Sequence, residues 1–202
     1  LKNEIVFPAA ILQPPFFDAK ADDALNYGGI GAVIGHEMFH GYDDQGSQFD
    51  AQGNFKNWWT AEDKKKFEER TARLVKQFDD YVAIDGLHVK GQLTLGENIA
   101  DLGGLNVAYD ALQMALKKNP AEAGKKIDGY SEDQRFFLNF AQIWRRVFRP
   151  EELKLRLNTD PHAPAFFRAI GAPSNMPAFA STFACKPGDA MVRTGEQQVV
   201  IW

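Results

Sequence analysis

A chain of 202 residues, 45% hydrophobic and 25% charged, is long enough for one substantial core and carries the composition of a soluble globular class, not of a disordered or collagenous one. Its 23 basic and 27 acidic residues are mixed along the sequence, so the net charge of -4 leaves no basic footprint for nucleic acid, and no apolar run is long enough to cross a bilayer. Cys185 is the single cysteine, which excludes an internal disulfide framework and a cysteine-rich zinc site; it reads as a small buried apolar side chain or as a partner for a cysteine outside this chain.

The chain opens at Leu1 with neither an initiator methionine nor a signal-peptide pattern and reads as part of a longer polypeptide, any targeting segment lying upstream. Over residues 4–17 a β-branched pair followed by Pro8, Pro14 and Pro15 predicts an edge strand running into an extended loop. Over residues 26–42, Ile30, Val33, Ile34 and Met38 recur at helical spacing and predict a helix capped by Asn26 and stopped at Gly41. Gly28, Gly29, Gly31 and Gly35 lower its propensity and point instead to a closely packed neighbour. Residues 43–59, rich in Asp, Gly, Asn and Gln, read as a loop, followed by a charged helix over 60–82 and a glycine-containing turn region over 85–91. A second interior helix is predicted from Glu97 to Lys118, then a polar connector over 119–129. The aromatic stretch 132–148 predicts a helix stopped ahead of Pro150, and beyond Leu157 short helices are expected over 163–170 and 178–183. There is no internal repeat and no low-complexity tract.

Chemistry concentrates in His36-Glu37-Met38-Phe39-His40. Residues four apart on a helix lie nearly one above the other, so His36 and His40 can offer imidazoles to one ion, with Glu37 one step round the helix and able to reach a water on the metal's open side. Alone, the pattern also fits two unrelated surface or capping histidines. Glu97 and Asp101 repeat the four-residue spacing at the start of another helix: a catalytic zinc needs a third ligand, and ligating imidazoles give their other N–H to an outer carboxylate. Glu97 taken alone also fits a helix-start acid favoured by the macrodipole.

HEMFH, VFPAAILQPPFFD before it, LNYGGIGAVIGHE leading into it, GYDDQG after it, TLGENIADLGGL, FFLNFAQIWRRVFRPE and DPHAPAFFRAIGAPSN together resemble the neprilysin family of zinc endopeptidases, from the first residues to Trp202. The resemblance implies a mainly α (α+β) fold, a thermolysin-like zincin catalytic lobe with a small sheet and the HExxH helix packed against the ENIAD helix, all in one domain over 1–202. It implies one Zn2+ per chain held by His36, His40 and Glu97, with Asp101 behind them and Glu37 as general base. His162 matches the family histidine that stabilises the oxyanion, and Arg168 the arginine that positions carbonyl groups and the substrate backbone; without the family, His162 reads as a capping or loop histidine. Phe16, Val33 and Trp144 resemble the wall of a pocket that prefers a hydrophobic residue just after the cleaved bond, their alternative being core packing. His88 matches no functional position.

The implied activity is hydrolysis of internal bonds of oligopeptides. The implied partners are those substrates and a helical N-terminal lobe of the same polypeptide, which this chain lacks together with the family's upstream Asn-Ala-aromatic phrase. The shortage of cysteines points to a bacterial-type member; the family's compartments are secreted, periplasmic or cell-surface, with cytoplasmic bacterial members.

Overall fold

The computed structural model describes residues 3–202, so Leu1 and Lys2 lie outside the described residues. Helix begins at α1 (Asp23–Asn26), where the Asp22 carboxylate accepts from the Ala24 N–H. It continues without a break through one π-helical turn (Tyr27–Gly31), α2 (Ala32–Phe39) and a 3-10 turn (His40–Tyr42). Asn26 is therefore not the cap. Its amide instead closes the preceding loop on both backbone groups of Asp18, at 2.9 and 2.8 Å. The edge strand expected over residues 4–17 does not form: the segment is extended, then turns through a 3-10 helix (Ala9–Ile11), and no strand among the described residues pairs with it. A β-branched run supplies propensity only, and an edge strand needs a neighbour to receive its hydrogen bonds.

Thr60 caps α3 (Ala61–Asp79), its hydroxyl accepting from the Asp63 N–H at 3.0 Å. The last residues of the expected helix unwind into an antiparallel hairpin of β1 (Val82–Ile84) and β2 (Leu87–His88), turning at Asp85 and Gly86, both with positive φ. Asp-Gly at a two-residue turn favours this geometry, and the hairpin is the small sheet. The long α4 (Leu95–Lys118) follows, then α5 (Glu132–Ile143) behind a reciprocal Ser131–Gln134 capping box.

Helix α5 stops at Trp144, short of residue 148, and an additional helix, α6 (Pro150–Thr159), begins on Pro150 itself. Proline ends one helix but suits the first turn of the next; Glu151 and Glu152 at its start and Arg156 in its last turn complement the helix dipole. Helices α7 (Ala165–Gly171) and α8 (Pro177–Thr182) match the two expected short helices to within a few residues. Cys185 is half-buried and free.

Helix α4 is the axis of the core: Ile99, Leu105 and Leu112 are fully buried against Leu74 of α3 and Phe136 of α5. Each such side chain contributes about 1.5–3 kcal/mol of burial free energy. Helix α2 packs on α4 more extensively than any other pair of elements, and it does so at two glycines. A methyl group on Gly35 would stand 2.5 Å from the Gly104 carbonyl oxygen, one on Gly104 would meet the His36 backbone, and the Phe39 ring occupies the space beside Gly103. This close approach sets the separation of the side chains that the two helices present to each other.

Candidate active site

From α2, His36 (9% exposed) and the half-buried His40 face the first turns of α4, which carry Glu97 and Asp101. The His36 Nε2 and His40 Nε2 atoms are 3.0 Å apart, and the Glu97 carboxylate lies 3.2 Å from the first and 3.5 Å from the second. Tetrahedral donors about 2.0–2.1 Å from a zinc ion are separated by roughly 3.3 Å. Two imidazoles and a carboxylate at these separations fit such an ion with a fourth position left open. Among the described residues, His36, His40 and Glu97 are the group whose ligand atoms gather within 4.8 Å of one another.

Each imidazole is anchored through its far nitrogen. His36 Nδ1 lies 2.8 Å from Asp101 Oδ1, as the spacing on α4 predicts. His40 Nδ1 lies 2.8 Å from Asp43 Oδ2, a partner at the start of the polar segment that reads from the sequence as a loop. The other Asp43 oxygen accepts the N–H groups of Gln45 and Gly46 at 2.8 and 2.7 Å, so this carboxylate ties the loop after α2 to the ring. The available signal was an acid three residues beyond His40, where the helix runs out and its side chain can turn back on the last turn.

Arg168 on α7 is buried, its Nε and Nη2 each donating to Asp101 at 2.7 Å, with Glu97 3.5 Å from Nη2. The guanidinium also lies 4.2 Å from the Trp144 ring centroid. Between α6 and α7, His162 has its Nδ1 2.7 Å from Asp160 and its Nε2 3.2 Å from Glu97. Asp160, also unanticipated, is held in turn by Arg156 at 2.7 Å. His88 is exposed and bonded to the Asp79 carbonyl.

These groups act strongly on one another's protonation. Burial pulls the His36 imidazole down, but hydrogen bonds to Asp101 and Glu97 and the charge of Asp101 outweigh it and push His36 up to about 9 in the metal-free protein. The Asp43 hydrogen bond, against the effect of burial, raises His40. Burial works to raise Asp101, but the Arg168 charge and hydrogen bonds, with those of His36, hold it well below the usual carboxylate range. Glu97 is lowered in the same way, its partial burial overcome by His36, Arg168 and His162. At neutral pH the cluster is thus a set of anions and cations already in place.

A cavity of about 350 Å³ opens beside it, with Glu37, His162, Phe16, Val33, Phe140 and Trp144 among the residues that line it. Glu37 is exposed to this space. The candidate site residues named from the sequence are therefore drawn to one place: Phe16, Val33, His36, Glu37, Asp101, Trp144, His162 and Arg168 line the cavity, and His40 and Glu97 join it through His36.

The sequence model of peptidase family M13 matches residues 1–199. Endothelin-converting enzyme 1 of Bos taurus is 49% identical over 94% of this chain, and neprilysin of Homo sapiens is 44% identical over 100% of it. The chain spans 25% and 27% of the lengths of those two relatives. Its fold matches the crystal structure of the Mycobacterium tuberculosis zinc metalloprotease Zmp1 in complex with inhibitor, with a TM-score of 0.94 and 48% identity, covering 99% of this chain and 31% of that one. With nearly the whole chain matched by one family and the same fold found in a zinc metalloprotease, the chain belongs to peptidase family M13, the neprilysin family.

Proposed function

We propose that this chain is the catalytic domain, over residues 1–202, of a zinc-dependent endopeptidase that cuts internal bonds of oligopeptides and prefers a hydrophobic residue on the primed side. The observation that carries this reading is the meeting of His36, His40 and Glu97 within 4.8 Å, next to a cavity wall that holds Glu37.

His36, His40 and Glu97 would hold one zinc ion. Bound there, zinc supplies Lewis acidity towards the scissile carbonyl and the attacking water. Glu37 takes the proton of that water and later passes it to the leaving amine, so no covalent acyl intermediate is needed. His162 donates from Nε2 to the carbonyl oxygen as negative charge grows on it; with Nδ1 donating to Asp160, this requires the imidazolium form. Loss of such a donor costs about 3 kcal/mol of barrier. Arg168 places Nε and Nη2 on Asp101, leaving Nη1 for a substrate carbonyl. Phe16, Val33 and Trp144 receive the apolar side chain of the substrate, whose removal from water contributes about 1.5–3 kcal/mol.

Asp101 and Asp43 hold the two imidazoles with Nε2 towards Glu97, which supports a metal site. A purely structural zinc site closes its fourth position and has no use for a base such as Glu37. The greater length of the relatives supports a further, N-terminal lobe of the same polypeptide as the partner that closes over the cleft.

The test is Glu37→Gln. Zinc content measured by elemental analysis is expected to stay at one ion per chain, while cleavage of a peptide with Phe on the primed side falls about a hundredfold or more. Parental rates in the variant remove Glu37 from its role, and a parent protein that takes up no zinc removes the reading altogether.

A further inference from the structure

Three guanidinium groups line the cavity that also holds Glu37 and His162: Arg146, Arg156 and Arg168. Two of them are neutralised within the protein. Arg168 spends its charge on Asp101 through two contacts of 2.7 Å, and Arg156 lies 2.7 Å from both Glu152 and Asp160. Arg146 differs. Its guanidinium lies 5.9 Å from the Trp144 ring centroid, and among the described residues it forms no ion pair.

Of the carboxylates on the cavity wall, Asp101 is matched by Arg168 and Asp160 by Arg156 and His162, while Glu37 forms no ion pair with Arg146. The pocket therefore joins an aromatic wall, Phe140 and Trp144, to a positive charge beside Trp144 that is uncompensated among the described residues. An apolar side chain satisfies the first feature but not the second. A carboxylate satisfies the second, and the planar fork of arginine accepts it through two parallel hydrogen bonds.

We infer that Arg146 is a specificity-determining residue that selects peptides carrying a carboxylate on the primed side, close to the apolar residue seated against Trp144; this rests on the peptidase reading above. The carboxylate is an Asp or Glu side chain or the free carboxyl terminus of a short peptide, and the same guanidinium recognises either. Because Arg146 is exposed, the selection weakens as salt is added.

The experiment measures calorimetric binding to the zinc-loaded protein carrying Glu37→Gln. Three amidated peptides differ only in the residue after a primed-side Phe, which is Asp, Asn or Lys; a fourth has Phe-Ala with a free carboxyl terminus. The Asp peptide is expected to bind about tenfold more tightly than the Asn peptide, with Lys weakest. Arg146→Glu in the same background should invert the order. Arg145→Glu, an equal charge change at an exposed neighbour outside the cavity lining, should leave it as it was. A gain for the free-acid peptide that Arg146→Glu abolishes assigns the carboxyl terminus as a source; a gain confined to the Asp peptide assigns the side chain. Equal affinities for Asp and Asn together with no gain for the free-acid peptide, or gains that Arg146→Glu does not change, overturn the inference while leaving the peptidase intact, since the parent still cleaves the Asn peptide. Failure of every peptide to bind, with no cleavage by the parent, overturns both.

Discussion

Replacement of Asp101 by Asn keeps the shape of the side chain and removes only its charge. In the native arrangement this carboxylate, 5% exposed, accepts from Arg168 Nε and Nη2 at 2.7 Å each and pairs with His36 Nδ1 at 2.8 Å. The amide leaves Arg168 buried with Glu97, 3.5 Å away, as its remaining carboxylate. Removing one partner of a buried ion pair costs about 3–5 kcal/mol, and the Glu97 contact places this case near the lower end, about 3 kcal/mol. That is a large share of the roughly 5–15 kcal/mol by which domains are stable. A second effect falls on the metal: without the carboxylate, His36 loses the partner that fixes its tautomer, and affinity for zinc should drop about 10- to 100-fold. Urea denaturation of the metal-free protein reads the first effect, and zinc titration against a competing chelator reads the second. The two separate in Asp101→Asn/Arg168→Met, where the stranded cation is gone: stability should largely return while the zinc deficit remains. Unchanged urea stability in the single variant would refute the ion-pair reasoning. Full recovery of zinc affinity in the double variant would show that Asp101 acts on the site only through Arg168.

Asp43→Asn should lower zinc affinity by a similar factor of about ten or more, because an amide facing His40 Nδ1 favours the tautomer with its proton on the metal-facing Nε2; an unaltered chelator competition curve would exclude Asp43 from the site. Gly35→Ala forces a methyl group against the Gly104 carbonyl, 2.5 Å away, and should cost about 1–3 kcal/mol while spreading α2 from α4 and weakening zinc binding, whereas wild-type melting would refute the close-packing account. The His36 value of about 9 lies above its unfolded 6.5, so its contribution to metal-free stability is complete below about pH 6.5 and is lost as pH rises through about 9. Zinc must then displace that proton at neutral pH, and calorimetric titrations in buffers of different ionisation enthalpy should report roughly one proton released per ion; identical apparent enthalpies would contradict it.

The sequence exposes the site wherever its geometry repeats with the helix. His36 and His40, and Glu97 and Asp101, are each four apart, and both pairs lie on helices as expected. His162 and Arg168 have no such periodicity: His162 sits on the connection between α6 and α7 and reaches Glu97 only because α7 folds back onto α4, so a family resemblance was needed to single it out. Asp43 and Asp160 escaped for a related reason. Each acts locally, three residues and two residues from its histidine, in segments whose polar composition reads as solvated loop. The errors in the fold share one cause, that local signals are silent about partners. The β-branched run over residues 4–17 has no strand to pair with among the described residues, and Pro150, read as a terminator, opens α6.

These two kinds of placement divide the proposed chemistry. The three candidate ligands stand on α2, its 3-10 extension and the first turn of α4, joined at Gly35 and Gly104 with no room between the backbones, so their separation is set by the packing of the core. His162, by contrast, stands outside that pair, and its position depends on a chain of charged contacts, Arg156 to Asp160 to the ring. Weakening that chain, for example with Arg156→Met, should reduce turnover more than it reduces zinc affinity, because it loosens the oxyanion donor without touching the ligands. Damage at the glycine contact must do both, since the helix pair carries the ligands and Glu37 together. A ratio of turnover loss to zinc loss that is the same for Arg156→Met and Gly35→Ala would mean that the connection and the helix pair move as one body, and the division would fail.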